Sequence, residues 1–390
     1  MREKATNLKM VCVGDVFPRN SETLAPTRSI LKEADITFGQ LENILSRRGT
    51  KQVFTNPPEL NRQPGTPPPA APLWIQGDPA EQLKVIVEAG FNVMSFAANH
   101  AYESSDEGII DTIEVLNSNN IASVGASKNI YEATKPAVIE KKGQKIGFLA
   151  YCSVVPPGGW ATHNKAGVAP LRAGTAYEQI DWQPGTPPRT ISWCNKDDLA
   201  GMEDDIKNLK ARVDVVVVSM HWGVKLIPGV IADYQFEAAH AAIDAGADLI
   251  IGHHAHILKG IEVYKGRVIF YSLGNFCCPP GKKITPVQAS GLYWINRFGL
   301  RLQVDPQRPY YPYPIDSQKT ILVKCAIHNN KIQRVTFLPL WINSQNQPEV
   351  LSHTDKRRGE HFQYMQWLCG SQGLDTKLSQ EDDEVEVITQ

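Results

Sequence analysis

"DLIIGHHAHIL", residues 248–258, sets an apolar run, Leu249 to Ile251, against a glycine and then His253, His254 and His256. Such a run reads as a buried strand, and imidazoles are costly to bury without partners. The same arrangement recurs upstream. "VCVG" is followed by Asp15, "ITFG" by Gln40 and Glu42, "VMSFAA" by Asn99 and His100, and "VVVVSM" by His221. Between these runs lie helix-like stretches at 79–89, 107–117, 198–211 and 231–245, with apolar residues at three- and four-residue spacing. Continuous Val/Ile/Leu strands alternating with helices predict an α/β sheet buried on both faces. The carboxyl ends of neighbouring strands then line one crevice, and the five endings converge there.

Each ending has an ordinary reading. An aspartate after a strand caps a turn or helix, Glu42 could be a solvated helix-start residue, and Asn99 forms turns. His221, before Trp222-Gly223, reads equally as a core histidine. Together they are harder to dismiss, since half of the chain's ten histidines fall in these short stretches. Imidazoles with carboxylates and an amide suit one or two divalent ions of the Zn, Mn, Fe, Co or Ni type. Taking 253–256 as extended, alternate residues share a face. His254 and His256 would then face one ion, with His253 on the opposite, structural side.

Composition narrows the function. Forty Lys+Arg against 41 Asp+Glu argue against an electrostatic nucleic-acid binder and a polybasic membrane anchor. No window approaches the ~20 apolar residues that span a bilayer. The start, "MREKATNLKMVCVGD", has no secretory apolar core or cleavage site, and seven scattered cysteines form no disulfide or zinc framework. A cytoplasmic location is expected. Proline-rich insertions interrupt the pattern at 56–74 and 181–189, both containing "QPGTPP". Past about residue 300 the chain turns β-rich, with a hairpin over 320–340 turning at Asn329-Asn330. The reading is a main domain over 1–300, a C-terminal extension over 301–370 packing on it, and an acidic flexible tail over 371–390.

"GDVFPR", "QLEN", "AANHAYESSDEG", "HWG", "GHHAH" and "YSLGNF" follow one another in the order and spacing of the CapA (poly-γ-glutamate capsule biosynthesis) family, which residues 9–280 resemble. That family is similar to the calcineurin-like metallophosphoesterases. The resemblance implies a four-layer α/β/β/α sandwich, here with a C-terminal β-rich extension, and a metal centre at the strand ends. It implies Asp15 and His256 on one metal, Asn99, His221 and His254 on the second, Glu42 as a bridge, and His100 as acid or base beside them. Three departures stand out. Where the phosphoesterases have Asp-x-His, this chain has Asp15-Val16-Phe17, so one ligand is missing. Glu103 replaces an aspartate, and Lys225 stands where a glutamate is usual.

The activity expected is metal-dependent hydrolysis of an amide-, peptide- or ester-like substrate bearing a carboxylate. Water acidified by the metal would attack, His100 would move the proton, and Lys225 or Arg19 would hold the carboxylate. Gln40, Glu103 and Trp160 are expected on the substrate side. Three rivals use the same parts: epimerisation next to a polarised carbonyl, phosphoester hydrolysis, and a non-catalytic capsule-assembly scaffold. The partner is a small molecule or peptide; whether the chain forms a homo-oligomer is left open.

Overall fold

A strand such as "VVVVSMH" has no polar alternation, so neither of its faces can meet water. The computed structural model of the protein, which describes residues 7–50, 78–279, 281, 283–285 and 302–389, buries such strands in two stacked sheets. The insertion at 56–74 lies outside the described residues. The first sheet starts with β1 (Leu8–Val16), β2 (Ile36–Leu41), β3 (Val93–Ser95) and β4 (Ala122–Val124), paired in parallel in that order. Beside β4 lies the minor strand β5 (Ala126–Ser127). The second sheet holds β6 (Ala137–Lys141) and β7 (Gln144–Cys152). A short β8 (Gly167–Val168) pairs with β5, and β9 (Ala173–Glu178) with β10 (Arg189–Cys194) forms a separate hairpin whose loop contains the second proline-rich insertion. The second sheet is completed by β11 (Val215–His221), β12 (Leu249–His253), β13 (Ile261–Tyr264) and β14 (Arg267–Phe270), in the order β13-β14-β12-β11-β7-β6.

The two sheets meet face to face. Phe38 of β2 and Phe148 of β7 stack at 5.6 Å between ring centroids, and Leu249, Ile251, Val215 and Val217 share one core with β1 and β2. Helices cover both outer faces. Thr37 donates to the carbonyl of Leu31 in α1 (Arg28–Glu33), and Asn43 and Leu45 bond to Gln82 of α2 (Pro79–Ala89) and Thr112 of α3 (Ser105–Ser118). On the far side of the second sheet, after the one-turn α4 (Ile130–Ala133), come α5 (Lys196–Lys210) and α6 (Asp233–Ala245). These cover Val216, Val218 and Ile250. The result is the four-layer α/β/β/α sandwich. Local signals set the helix ends. Asp78 caps α2 ahead of Pro79, Asn195 accepts two amides at the start of α5, and Gly246 closes α6 at φ 118°.

The apolar stretch after β13 divides. After β14 the chain crosses to the first sheet, where β15 (Asn275–Cys277) lies parallel to β1. Gly14 permits this, because a Cβ there would sit 2.0 Å from the carbonyl oxygen of Gly274. The hairpin predicted over 320–340 is β16 (Lys319–His328) and β17 (Lys331–Ile342), turning on Asn329 and Asn330, both at positive φ. It extends the first sheet beyond β1, followed by β18 (Pro348–Val350) at its edge. The helix Arg357–Gly370 packs Met365 and Leu368 into the main core.

The acidic tail does not fray. Its β19 (Leu378–Glu381) and β20 (Glu384–Val387) form a hairpin on β17. The alternation "EVEV" buries Val385 and Val387 and turns the glutamates to Lys324 and Arg334. A period of two outweighed the acidic composition. Among the described residues no helix is long and apolar enough to cross a membrane. All seven cysteines are buried and unbridged.

Phe38→Ala, which empties the sheet-to-sheet contact, should lower stability by about 3–5 kcal/mol. Urea unfolding monitored by circular dichroism will show it, and a loss below 1 kcal/mol would mean that the two sheets are not held together there.

Candidate metal centre

Gly14 ends the antiparallel pairing of β1 with β16, and Asp15, the next residue, pairs instead with Asn275 and Gln40. Asp15 is 1 % exposed and Glu42, just past β2, is 4 % exposed. None of their four carboxylate oxygens receives a hydrogen bond. Around them stand histidines from the second sheet. His253 Nδ1 lies 3.5 Å from Asp15 Oδ1, and His256 Nδ1 lies 3.2 Å from Asp15 Oδ2. Glu42 is placed between two groups. Its Oε1 is 3.7 Å from His256 Nε2, and its Oε2 is 3.8 Å from His221 Nε2. On the His221 side, Asn99 Oδ1 meets His221 Nε2 at 2.7 Å and His254 Nδ1 at 3.2 Å. Ligand atoms of Asp15, Glu42 and His221 all lie within 4.8 Å of one another.

The electrostatics follow from burial. Glu42 is pushed well above the usual carboxylate range by desolvation and then by the charge of Asp15. Burial acts on Asp15 in the same direction, but the imidazoles of His253 and His256 outweigh it and hold that carboxyl well below its usual range. Desolvation first, then neighbouring positive groups including Lys225, depress His254 and His256; His221 is also lowered by burial. Neutral imidazoles and carboxylates without donors form the donor set that a divalent cation requires. Two buried carboxylates facing each other with no hydrogen-bond donor are otherwise very unfavourable. The residues present therefore fit a metal.

Asp15, Glu42, Asn99, His221, His254 and His256 are brought together. His100 stands beside them, its Nε2 3.8 Å from Glu42 Oε1 and its Nδ1 2.6 Å from Glu103 Oε1. Glu103, expected on the substrate side, is instead the partner of His100. Lys225 belongs to the centre through its field on Glu42, His254 and His256. The following residue is fixed by Leu226 N donating to Ala255 O at 2.9 Å.

Two expectations are corrected, and three residues are placed outside the donor set. His253 does not face away. β12 runs through it, so it shares the inner face with Leu249 and Ile251 and points at Asp15, and neither ring nitrogen has a hydrogen-bond partner. Strand alternation does not bring His254 and His256 together either, since the strand ends at His253 and both residues take left-handed backbone, φ 82° and 55°. Such a conformation is uncommon for non-glycine residues and marks a shaped turn. Arg19 is exposed and lines a separate cavity. Gln40 is fully buried with its amide on the Leu41 carbonyl, and Trp160, partly buried, packs against the main core.

Two neighbours carried little sequence signal. Asn275 Oδ1 accepts from His256 Nδ1 at 2.8 Å, fixing the tautomer that leaves Nε2 toward Glu42. Tyr313 stacks on the His256 ring at 4.7 Å.

The profile of the family described as "Bacterial capsule synthesis protein PGA_cap" matches residues 13–279. The PGA biosynthesis protein CapA of Bacillus subtilis is 34 % identical over 260 residues, covering 64 % of this chain and 61 % of that protein. The capsule biosynthesis protein CapA of Bacillus anthracis is 30 % identical over 254 residues, covering 65 % and 55 %. The chain thus spans little more than half the length of these relatives. Among solved structures, the calcineurin-like phosphoesterase YfkN from Bacillus subtilis aligns at TM-score 0.41 and 11 % identity, over 93 % of this chain and 98 % of that one.

Proposed function

Since this chain belongs to the bacterial capsule synthesis protein family, we propose that it is a metal-dependent hydrolase of amide-, peptide- or ester-like substrates that carry a carboxylate. The supporting observation is the group of four buried carboxylate oxygens without donors, surrounded by depressed imidazoles. Asp15, His253 and His256 would hold one cation, with His253 making up for the imidazole that the Phe17 position lacks. Asn99, His221 and His254 would hold a second, and Glu42 would bridge them. A divalent ion bound here supplies Lewis acidity toward a water and an acyl oxygen.

The remaining chemistry belongs to the chain. Glu103 accepts the Nδ1 proton of His100, which leaves the Nε2 lone pair toward the centre. From there His100 takes the proton of the attacking water and returns it to the leaving nitrogen or oxygen. The Lys225 ammonium holds the substrate carboxylate. The names of the relatives, PGA and capsule biosynthesis, suit a substrate rich in amide links and carboxylates.

The test starts with elemental analysis of protein purified without added metal. The same sample is then assayed in D2O against acyl-amino acids, glutamate-containing peptides and nitrophenyl phosphate. The reading expects at least one equivalent of a transition metal and cleavage of an acyl substrate. Deuterium uptake without cleavage would convert it to epimerisation, phosphate release alone to phosphoester hydrolysis, and a metal-free protein that ignores added metal to a scaffold.

A further inference from the structure

β1 and β15 do not stop at the metal centre. Four residues past Asp15, β1 leads to Arg19, and three past Asn275, β15 leads to Cys278. Both residues line a cavity of about 700 Å³. That volume lies in the range of small-molecule sites, roughly 300–1,000 Å³, and is far larger than one carboxylate needs. The cavity is cationic and amide-lined. Arg19 and Arg308 face Glu22 as the single carboxylate, and carboxamides such as Asn20, Gln307 and Gln345 complete the wall. Carboxamides offer both donors and acceptors, which a peptide group demands.

The two guanidinium groups differ in role. Arg308 is half-buried over the Tyr311 ring at 4.1 Å, and its Nη atoms donate to the Ile342 carbonyl and Asn346 Oδ1, both at 2.6 Å. It shapes the wall and contributes charge. Arg19 is exposed, and its guanidinium has no hydrogen-bond or ion-pair partner among the described residues. It is therefore available to a ligand, and it can take a carboxylate in bidentate fashion.

A thin aromatic wall separates cavity and centre. Tyr311, which lines the cavity, meets Tyr313 edge-on at 5.9 Å, and Tyr313 stacks on His256 at 4.7 Å.

We propose that this cavity is a second substrate subsite, in which Arg19 takes a carboxylate of an acidic peptide. The inference rests on the acyl-hydrolase reading only for treating the bound peptide as a substrate. Binding in the cavity itself does not need the metal.

The experiment is titration calorimetry on the full chain, metal-loaded and chelator-treated, with tetraglutamate, tetraglutamine and inorganic phosphate as probes. Wild type should bind tetraglutamate at least tenfold more tightly than tetraglutamine. Arg19→Gln should weaken tetraglutamate about tenfold and Arg19→Glu about a hundredfold, while Lys84→Gln, an equal charge loss on the outer helix α2, should leave it unchanged. Chelation should not abolish this binding, so a failure of the metal reading leaves the titration interpretable. Equal affinity of Arg19→Gln and wild type, or of the two peptides, would overturn the proposal. So would Arg19-dependent binding of phosphate without any of tetraglutamate. Melting curves on each variant exclude misfolding as the cause of a loss.

Discussion

Glu42→Gln should remove the protein's ability to be stabilised by a divalent cation and, with metal chelated, should melt higher than wild type. Two opposed consequences follow from one residue. In the absence of a cation, Glu42 is a buried carboxylate facing Asp15 with no donor on either oxygen, and a glutamine of the same shape relieves that repulsion. A buried polar or ionic group so placed costs on the order of 1–3 kcal/mol. For a chain of this size that corresponds to roughly 1–4 °C in Tm. With a cation at a hundred times its Kd, wild type gains about 2.7 kcal/mol, whereas the variant, lacking the bridging charge, should gain almost none.

pH gives a second signature. Glu42 is raised in the folded chain, while in the unfolded chain it ionises near about pH 4.3. Its contribution is fully present below that unfolded value and is lost as pH rises through the folded one. The depressed His221 and His254 act oppositely. Their contribution is present above about pH 6.5, the unfolded value, and is lost as pH falls. Chelated wild type should therefore lose stability toward both alkali and acid, and Glu42→Gln should flatten the alkaline side alone. Scanning calorimetry with and without chelator checks each limb. A Glu42→Gln protein that melts lower than wild type without metal, or is stabilised equally by metal, would sink the assignment of Glu42.

His100→Ala should lower kcat by about 10²- to 10⁴-fold while the bound metal, measured by elemental analysis, stays unchanged. The separation of effects follows from position. His100 reaches Glu42 only at 3.8 Å and is held from the other side by Glu103, so it borders the donor set without belonging to it. Glu103→Gln should give a smaller loss, about tenfold, by weakening the tautomer preference. Loss of metal in His100→Ala would make the residue a ligand; unchanged kcat would remove it from the proton path.

Most of the residues that the structure brings together at the strand ends were legible in the sequence. Asp15, Glu42, Asn99, His221, His254 and His256 could be found because each ends an apolar run, and parallel strands buried on both faces must present their carboxyl ends together. Periodicity likewise located α2, α5 and α6 and the turn at Asn329-Asn330. His253 was misread because the extended alternation was carried past the residue where the strand stops. The EVEV tail was misread because composition was weighed above spacing.

What the sequence by itself determined, then, is local: apolar runs, caps, turns, and a ligand-type residue after each strand. Tertiary structure alone decided the partnerships, namely Glu42 between two histidine groups, Glu103 on His100, Asn275 and Tyr313 on His256, and Arg19 in a cavity of its own. The physical reason is range. Strand and turn preferences act over a few neighbouring residues, whereas each of these pairings depends on how two sheets stack and where the chain crosses at Gly14 and Gly274, distances no short window of sequence encodes.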